Sequence, residues 1–198
     1  KKRLAYSTVS QLSYIVLSIS LLNSYAVIAS IFHLVAHAFG KITLFFAAGA
    51  IYTSLHKTEV SELNGVGRIM PVTMIAFSIG AVTMIGLPLT GGFVSKWFLL
   101  SSTTIQEHWV ILLVIILSTL LNVAYFMPII YKAFFLRPLN NKISKTLKEK
   151  ATYDHVRYSF GLETPILILL AMFITSFGSV LLFFHPEIII NLASQISE

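Results

Sequence analysis

The 198-residue chain is 56% hydrophobic and 11% charged, with a formal net charge of +6 and no cysteine. A soluble domain carries about twice that charged fraction, and without cysteine there is no disulfide, no thiolate catalysis and no cysteine-ligated metal. The positive charge is not a nucleic-acid footprint, because it is uneven: seven basic residues gather between Lys132 and Arg157 against two acids, Glu149 and Asp154.

Lys1-Lys-Arg-Leu-Ala-Tyr6 opens the chain, and the run after it (Ser7, Thr8, Ser10, Gln11, Ser13) is too polar for the core of a signal peptide. With Lys1 where a start Met would stand, the sequence reads as a piece of a longer protein, or as one whose start is lost. Hydropathy and spacing predict helices over residues 6–22, 26–55, 70–102, 109–135 and 164–184. Within these, 109–130 and 164–184 hold no charge and match or exceed the ~20 residues that cross the hydrocarbon of a bilayer. Alternating barrel strands are incompatible with such runs. The fold class is all-α, a polytopic integral membrane helix bundle.

Asn23-Ser24 makes the first link short and the first two helices antiparallel. Residues 56–68 form a polar loop containing Gly65 and Gly67, and 101–108 another polar link. The stretch 70–102 is too long for one regular span, and it contains Pro88, Gly91 and Gly92, all helix breakers. Charge selects between one broken crossing and two. If 70–102 crosses once, Lys1-Lys-Arg3 falls on the same side as the basic 136–162 loop, as the positive-inside rule requires; two crossings would separate them. The expectation is five spans, one of them broken between Pro88 and Gly92, with the basic loop cytoplasmic, the C-terminus external and a bacterial inner membrane as the setting. Ile143, Leu147 and Ala151, four apart among lysines, fit either an amphipathic helix on anionic lipid or a solvated loop.

The chemistry-bearing residues lie inside these spans. His33, His37 and Lys41, in Ile31-Phe-His-Leu-Val-Ala-His-Ala-Phe-Gly-Lys41, are spaced i, i+4, i+8 along one helix face over roughly 12 Å. Each ionisable group at mid-membrane costs about 2.5–3.5 kcal/mol on insertion scales, so a row of three is hard to explain as filler. Lys41 is about 20 Å from either helix end, too deep to reach the headgroups readily, and no acid lies in any predicted span to pair with it. Imidazoles accept on one nitrogen and donate from the other, which suits a relay; a hydrogen-bonded core histidine is the structural alternative. Lys96, four residues past Gly92, either exchanges protons beside the break or snorkels outward next to Trp97.

Other chemistries fit less well. His33-Leu-Val-Ala-His37 lacks the glutamate of a metalloprotease helix, and a zinc site needs about three or four ligands, where this segment offers its two histidines and the chain no cysteine. Two histidines on one helix face cannot reach opposite sides of a haem iron. No metal and no cofactor is expected. Ser10, Gln11 and Ser13 either hold water or pack helix against helix. Pro128 is expected to kink its helix.

Four segments carry a family resemblance. Lys1-Lys-Arg-Leu-Ala-Tyr-Ser-Thr-Val-Ser-Gln-Leu-Ser-Tyr14, Phe32-His-Leu-Val-Ala-His-Ala-Phe-Gly-Lys41, Glu62-Leu-Asn-Gly-Val-Gly-Arg-Ile-Met-Pro71 and Gly86-Leu-Pro-Leu-Thr-Gly-Gly-Phe-Val-Ser-Lys96 resemble, in order, segments of antiporter-like proton-translocating subunits. These are the large membrane subunits of respiratory complex I (its L, M and N subunits) and of Mrp-type multisubunit sodium/proton antiporters. Residues 122–135 look closer to the Mrp D-type subunit; 137–198 match only in hydropathy. The resemblance implies proton transfer along His33, His37, Lys41 and Lys96, with Lys1 at the edge. It implies partners in the other membrane subunits of such a complex, and protons, with Na+ as a second cargo. Residues 1–135 would be the C-terminal part of a translocating module, 136–162 a basic cytoplasmic loop, and 163–198 the last span and an external tail. Ser13 stands where the family has glycine and Leu89 where it has a second proline, and the first repeat with its glutamate–lysine pair is not in this sequence. The rival readings are a proton-pumping subunit of NADH-quinone oxidoreductase, and a non-transporting structural subunit or truncated gene remnant.

Overall fold

Asn23 sets the first corner of the chain. Its side-chain oxygen accepts from the Ala26 backbone N–H at 2.8 Å, capping the second helix, while its amide nitrogen donates to Ser102 Oγ at 2.8 Å. In this computed structural model, which describes residues 2–137 and 163–197, the helices are α1 (Lys2–Ser20), α2 (Ser24–Leu55), α3 (Val66–Ile69), α4 (Pro71–Ile85), α5 (Gly91–Ile105), α6 (Trp109–Phe135), α7 (Ile166–Phe184) and α8 (Glu187–Ser197). A short 3-10 turn (Val60–Leu63) precedes α3, and the described residues contain no strand. Lys1 and most of the basic loop, with its Ile143, Leu147 and Ala151 pattern, lie outside the described residues. α6 continues through Pro128.

α2 is the axis of the bundle, and α1, α4, α5, α7 and α8 all pack on it. Its 32 residues measure about 48 Å at 1.5 Å per residue, longer than the ~30 Å hydrocarbon core. In lipid, burying apolar side chains between helices gains little, so close backbone approach and hydrogen bonds carry the packing. The α2–α4 contact shows this. A Cβ on Gly80 would sit 2.9 Å from Gly40 O, and one on Gly40 would sit 2.7 Å from Met84 Cε.

Partners along α2 establish that α4 and α5 form one crossing. Gly80 faces Leu44, Gly91 faces Ala36, Ser95 meets His33, and Ser102 meets Asn23. As the number rises through α4 and α5, the α2 partner falls steadily, so the pair runs antiparallel to α2 as one interrupted helix. Each half has 15 residues, about 22 Å and too short to cross alone. α2, α6 and α7 are each long and apolar enough to span by themselves. α1 has 19 residues, but it turns Ser7, Gln11 and Ser18 inward and Tyr6, Val9 and Val16 outward, which lowers its mean hydropathy while suiting a span that borders a polar interior.

The five spans place the described part of Lys1-Lys-Arg3, the 56–70 loop and the start of the basic loop at one end of the bundle. Tyr125 Oη donates to Arg3 O, and Gly65 N donates to Lys132 O, tying that end together. The links at 21–23 and 106–108 meet at the other end, where Gln106 Nε2 donates to Leu21 O at 2.9 Å. The 3-10 turn and α3 fall in the stretch expected to be a polar loop, and α8 has no sequence forecast either. The stretch read as a tail folds back, and Ile189 and Ile190 pack against Phe32, Ala36 and Leu182.

Candidate functional site

The break between α4 and α5 is built by backbone geometry. Gly86 has φ +82° and ends α4; a Cβ there would lie 2.6 Å from Lys96 Cδ. A Cβ on Gly92 would lie 1.9 Å from Thr83 O, so only glycine lets α5 start this close to α4. Leu89 also takes positive φ, +72°. Breaking a membrane helix frees carbonyls that lipid cannot satisfy. Here Lys96 satisfies them: its Nζ donates to Ile85 O at 2.7 Å and to Met84 O at 3.3 Å. The ammonium thus caps the negative end of α4. Lys96 is 4% exposed and turned inward, whereas Trp97 beside it is 60% exposed. The snorkelling alternative does not describe this side chain.

Lys96 also lies over the Tyr14 ring at 5.1 Å and within 3.4 Å of Thr119 Oγ1. A cavity of about 170 Å³ opens beside it between α5 and α6, bordered by Gly86, Phe93, Trp97, Ile115 and Thr119. The room suffices for water, although the lining is mostly apolar.

α1 connects this end to the α2 row. Ser7, Gln11 and Tyr14, at i, i+4 and i+7 on α1, face the α2 row: Ser7 meets Lys41, while Gln11 and Tyr14 both meet His33. Lys41 is 5% exposed and donates to Ser7 Oγ at 2.8 Å. His33 Nε2 lies 3.1 Å from Gln11 Oε1, and its Nδ1 lies 2.9 Å from Ser95 Oγ on α5. The His33 ring is 5.7 Å from the Tyr14 ring and stacked 6.4 Å from that of His37. The two histidines and the lysine of α2 are thus all buried, with Lys41 meeting α1 and His33 meeting both α1 and α5. Neither lysine forms an ion pair among the described residues.

Three buried polar atoms punctuate the row without a hydrogen-bond partner among the described residues: His37 Nε2, Gln11 Nε2 and Tyr14 Oη. Buried groups of this kind are costly unless paired, so each calls for a partner beyond the described side chains. The described residues include no cluster of three or more metal-ligating His, Cys, Asp or Glu side chains.

Several residues of the site carried little or no signal in the sequence. Ser7, Tyr14 and Ser95 lie inside the segments that carry the resemblance, but what each touches becomes visible when α2 is placed beside them. Glu163, 4% exposed, accepts from Val72 N at 2.8 Å and Thr73 Oγ1 at 2.7 Å, capping α4 from just before α7. Its position just before a span, two residues ahead of Pro165, was the available hint.

The fold and the row together define a polytopic membrane protein with an interrupted helix and a buried line of lysine and histidine side chains. Residues 1–122 match the family described as NADH:quinone oxidoreductase/Mrp antiporter, TM. The chain is 36% identical over 191 residues to NADH-quinone oxidoreductase subunit N of Desulforudis audaxviator, covering 96% of this chain and 37% of the relative. It is 31% identical over 192 residues to F420H2 dehydrogenase subunit L of Methanosarcina mazei, covering 90% of this chain and 27% of that one. In fold it resembles a chain of the Mrp complex from Dietzia sp. DQ12-45-1b (TM-score 0.80, 21% identity, 98% of this chain and 41% of that chain). A chain of the membrane-bound sulfane sulfur reductase, an archaeal respiratory membrane complex, gives a TM-score of 0.73 at 22% identity, over 98% of this chain and 36% of that chain. The protein belongs to the NADH:quinone oxidoreductase/Mrp antiporter transmembrane family. It spans less than two fifths of the length of these curated relatives.

Proposed function

We propose that this chain forms one proton-transfer segment of a larger translocating subunit, moving protons between Lys41 and Lys96 through His37 and His33. The observation that carries this reading is the burial of both ammonium groups at opposite ends of one polar row. Each is bonded to a polar neighbour and neither is neutralised by an acid among the described residues. Lys96 also caps α4, but among the described residues Lys41 is bonded to one hydroxyl, without the carboxylate or carbonyl partners that a purely structural ammonium takes at this depth. Water at the three unpaired atoms would complete the connection. Lys1 lies outside the described residues; a place for it at the edge of the pathway is what the family resemblance implies.

The complex that houses the segment has two readings. Fold likeness to the Mrp complex chain supports a multisubunit cation/proton antiporter, with Na+ as exchanged cargo. Sequence identity to oxidoreductase subunits supports a redox-driven proton pump. Both place the chain among other membrane subunits, and the positive-inside rule assigns the end holding Arg3 and the basic loop to the cytoplasm.

The test is proton flux in membrane vesicles containing the complete complex, with Lys41→Ala or Lys96→Ala. The reading predicts normal assembly and a fall in flux of about 100-fold or more, in the range general acid–base groups supply. Unchanged flux in both variants, with normal assembly, would leave a structural role instead. Flux driven by NADH identifies the redox complex; flux driven by a Na+ gradient identifies the antiporter.

A further inference from the structure

His33 differs from the other members of the row in that both of its ring nitrogens have side-chain partners, and those partners constrain each other. The Ser95 hydroxyl lies 3.0 Å from Gly92 O. A carbonyl only accepts, so the hydroxyl proton is directed there. Ser95 Oγ is left to accept, and His33 Nδ1 must donate to it. A neutral ring held this way carries its lone pair on Nε2. That lone pair would face Gln11 Oε1, which also only accepts, so the observed facing suits the imidazolium. A neutral ring requires the carboxamide turned over, with Gln11 Nε2 donating. Gln11 is fully buried and its amide nitrogen has no partner among the described residues, so no neighbouring side chain locks it in either orientation.

We propose that Ser95 clamps His33 at Nδ1 while the Gln11 carboxamide turns over each time Nε2 gains or loses a proton. His33 then exchanges protons on its α1 side and not through α5. This rests on the translocation reading above. The proton balance is closed: one proton arrives at and leaves from Nε2, while Nδ1, Ser95 and Gln11 keep their own hydrogens. Ser95 and Gln11 are positioning residues that decide which nitrogen reacts.

The experiment measures proton flux per assembled complex in vesicles for Gln11→Met, which keeps the volume and removes the carboxamide, and for Ser95→Ala and Ser95→Thr. Flux is expected to fall about tenfold or more in Gln11→Met and Ser95→Ala, and to recover most of its value when threonine restores the hydroxyl. Full flux in Gln11→Met and Ser95→Ala, while Lys41→Ala and Lys96→Ala are inactive, overturns this inference and leaves the translocation reading standing. Full flux in the lysine variants as well overturns both. Where a variant does not assemble, the wild-type complex decides. Nitrogen-15 resonances of labelled histidine, with the His33 signal assigned by its loss in His33→Asn, should show the neutral ring protonated at Nδ1. A neutral ring protonated at Nε2 overturns the inference.

Discussion

Lys41 and Lys96 are both buried ammonium groups, but their supports differ, and so should their variants. Lys41 donates to a single hydroxyl, Ser7 Oγ, so Ser7→Ala should leave assembly intact and reduce flux less than Lys41→Ala does. Lys96 holds two carbonyls of an interrupted helix. Lys96→Met leaves Met84 O and Ile85 O without that donor, and a buried unpaired acceptor costs about 1–3 kcal/mol. Thermal unfolding of the solubilised complex should therefore show a lower midpoint for Lys96→Met than for Lys41→Met. Equal midpoints would mean that the ammonium is not what satisfies the break.

At the scale of elements, the interruption depends on how closely α5 approaches α4. Gly92→Ala places a methyl against Thr83 O and must push the two halves apart, whereas Gly49 has nothing within 4 Å of an added Cβ. Gly49→Ala should be neutral or stabilise α2 by up to about 1 kcal/mol. Gly92→Ala should cost about 3 kcal/mol or more, the upper end for overpacking, because the obstacle is backbone. Quantifying assembled subunit for the two variants checks the contrast. Glu163 anchors the other end of α4 to the start of α7, and Glu163→Ala should cost about 1–2 kcal/mol as a lost helix cap.

The 56–65 loop has its own electrostatics. Backbone N–H groups of Glu59 and Thr58 hold the Glu62 carboxyl below its usual range, with Lys57 adding to the effect. Burial lowers Lys57, and Glu62 opposes that. A depressed carboxyl stabilises the fold above its ordinary pKa, about 4.3, and that contribution fades as pH falls through the lowered value. Protection of the Thr58 and Glu59 amides from hydrogen exchange should therefore drop in acid, and Glu62→Gln should remove the acid dependence.

For the whole molecule, what was legible in the sequence was local. Uncharged runs marked α6 and α7, Pro88 and the glycine pair marked the break, and i, i+4 spacing put His33, His37 and Lys41 on one face. Charge bias between Lys1-Lys-Arg3 and the basic loop selected one crossing for 70–102, and the partners of α4 and α5 along α2 agree with it. What was not legible depends on contacts distant in sequence. Glu163 gains its role from a helix that starts 92 residues earlier. Eleven residues of α8 (Glu187–Ser197) were too few to stand out from a tail until Ile189 and Ile190 found α2. The absence of cysteine makes sidedness easy to test: single cysteines at positions 2 and 107 should label from opposite sides of the membrane, the first from the cytoplasm. Labelling of both from one side would break the five-span account.

The central claim is that a wet, continuous polar row joins Lys41 to Lys96 along α1. A cryo-electron map of the complete complex, at a resolution that shows ordered water, tests it most directly. The account predicts water density within hydrogen-bond distance of His37 Nε2, Gln11 Nε2 and Tyr14 Oη. Apolar side chains packed against all three atoms, with no water between the two lysines, would contradict it.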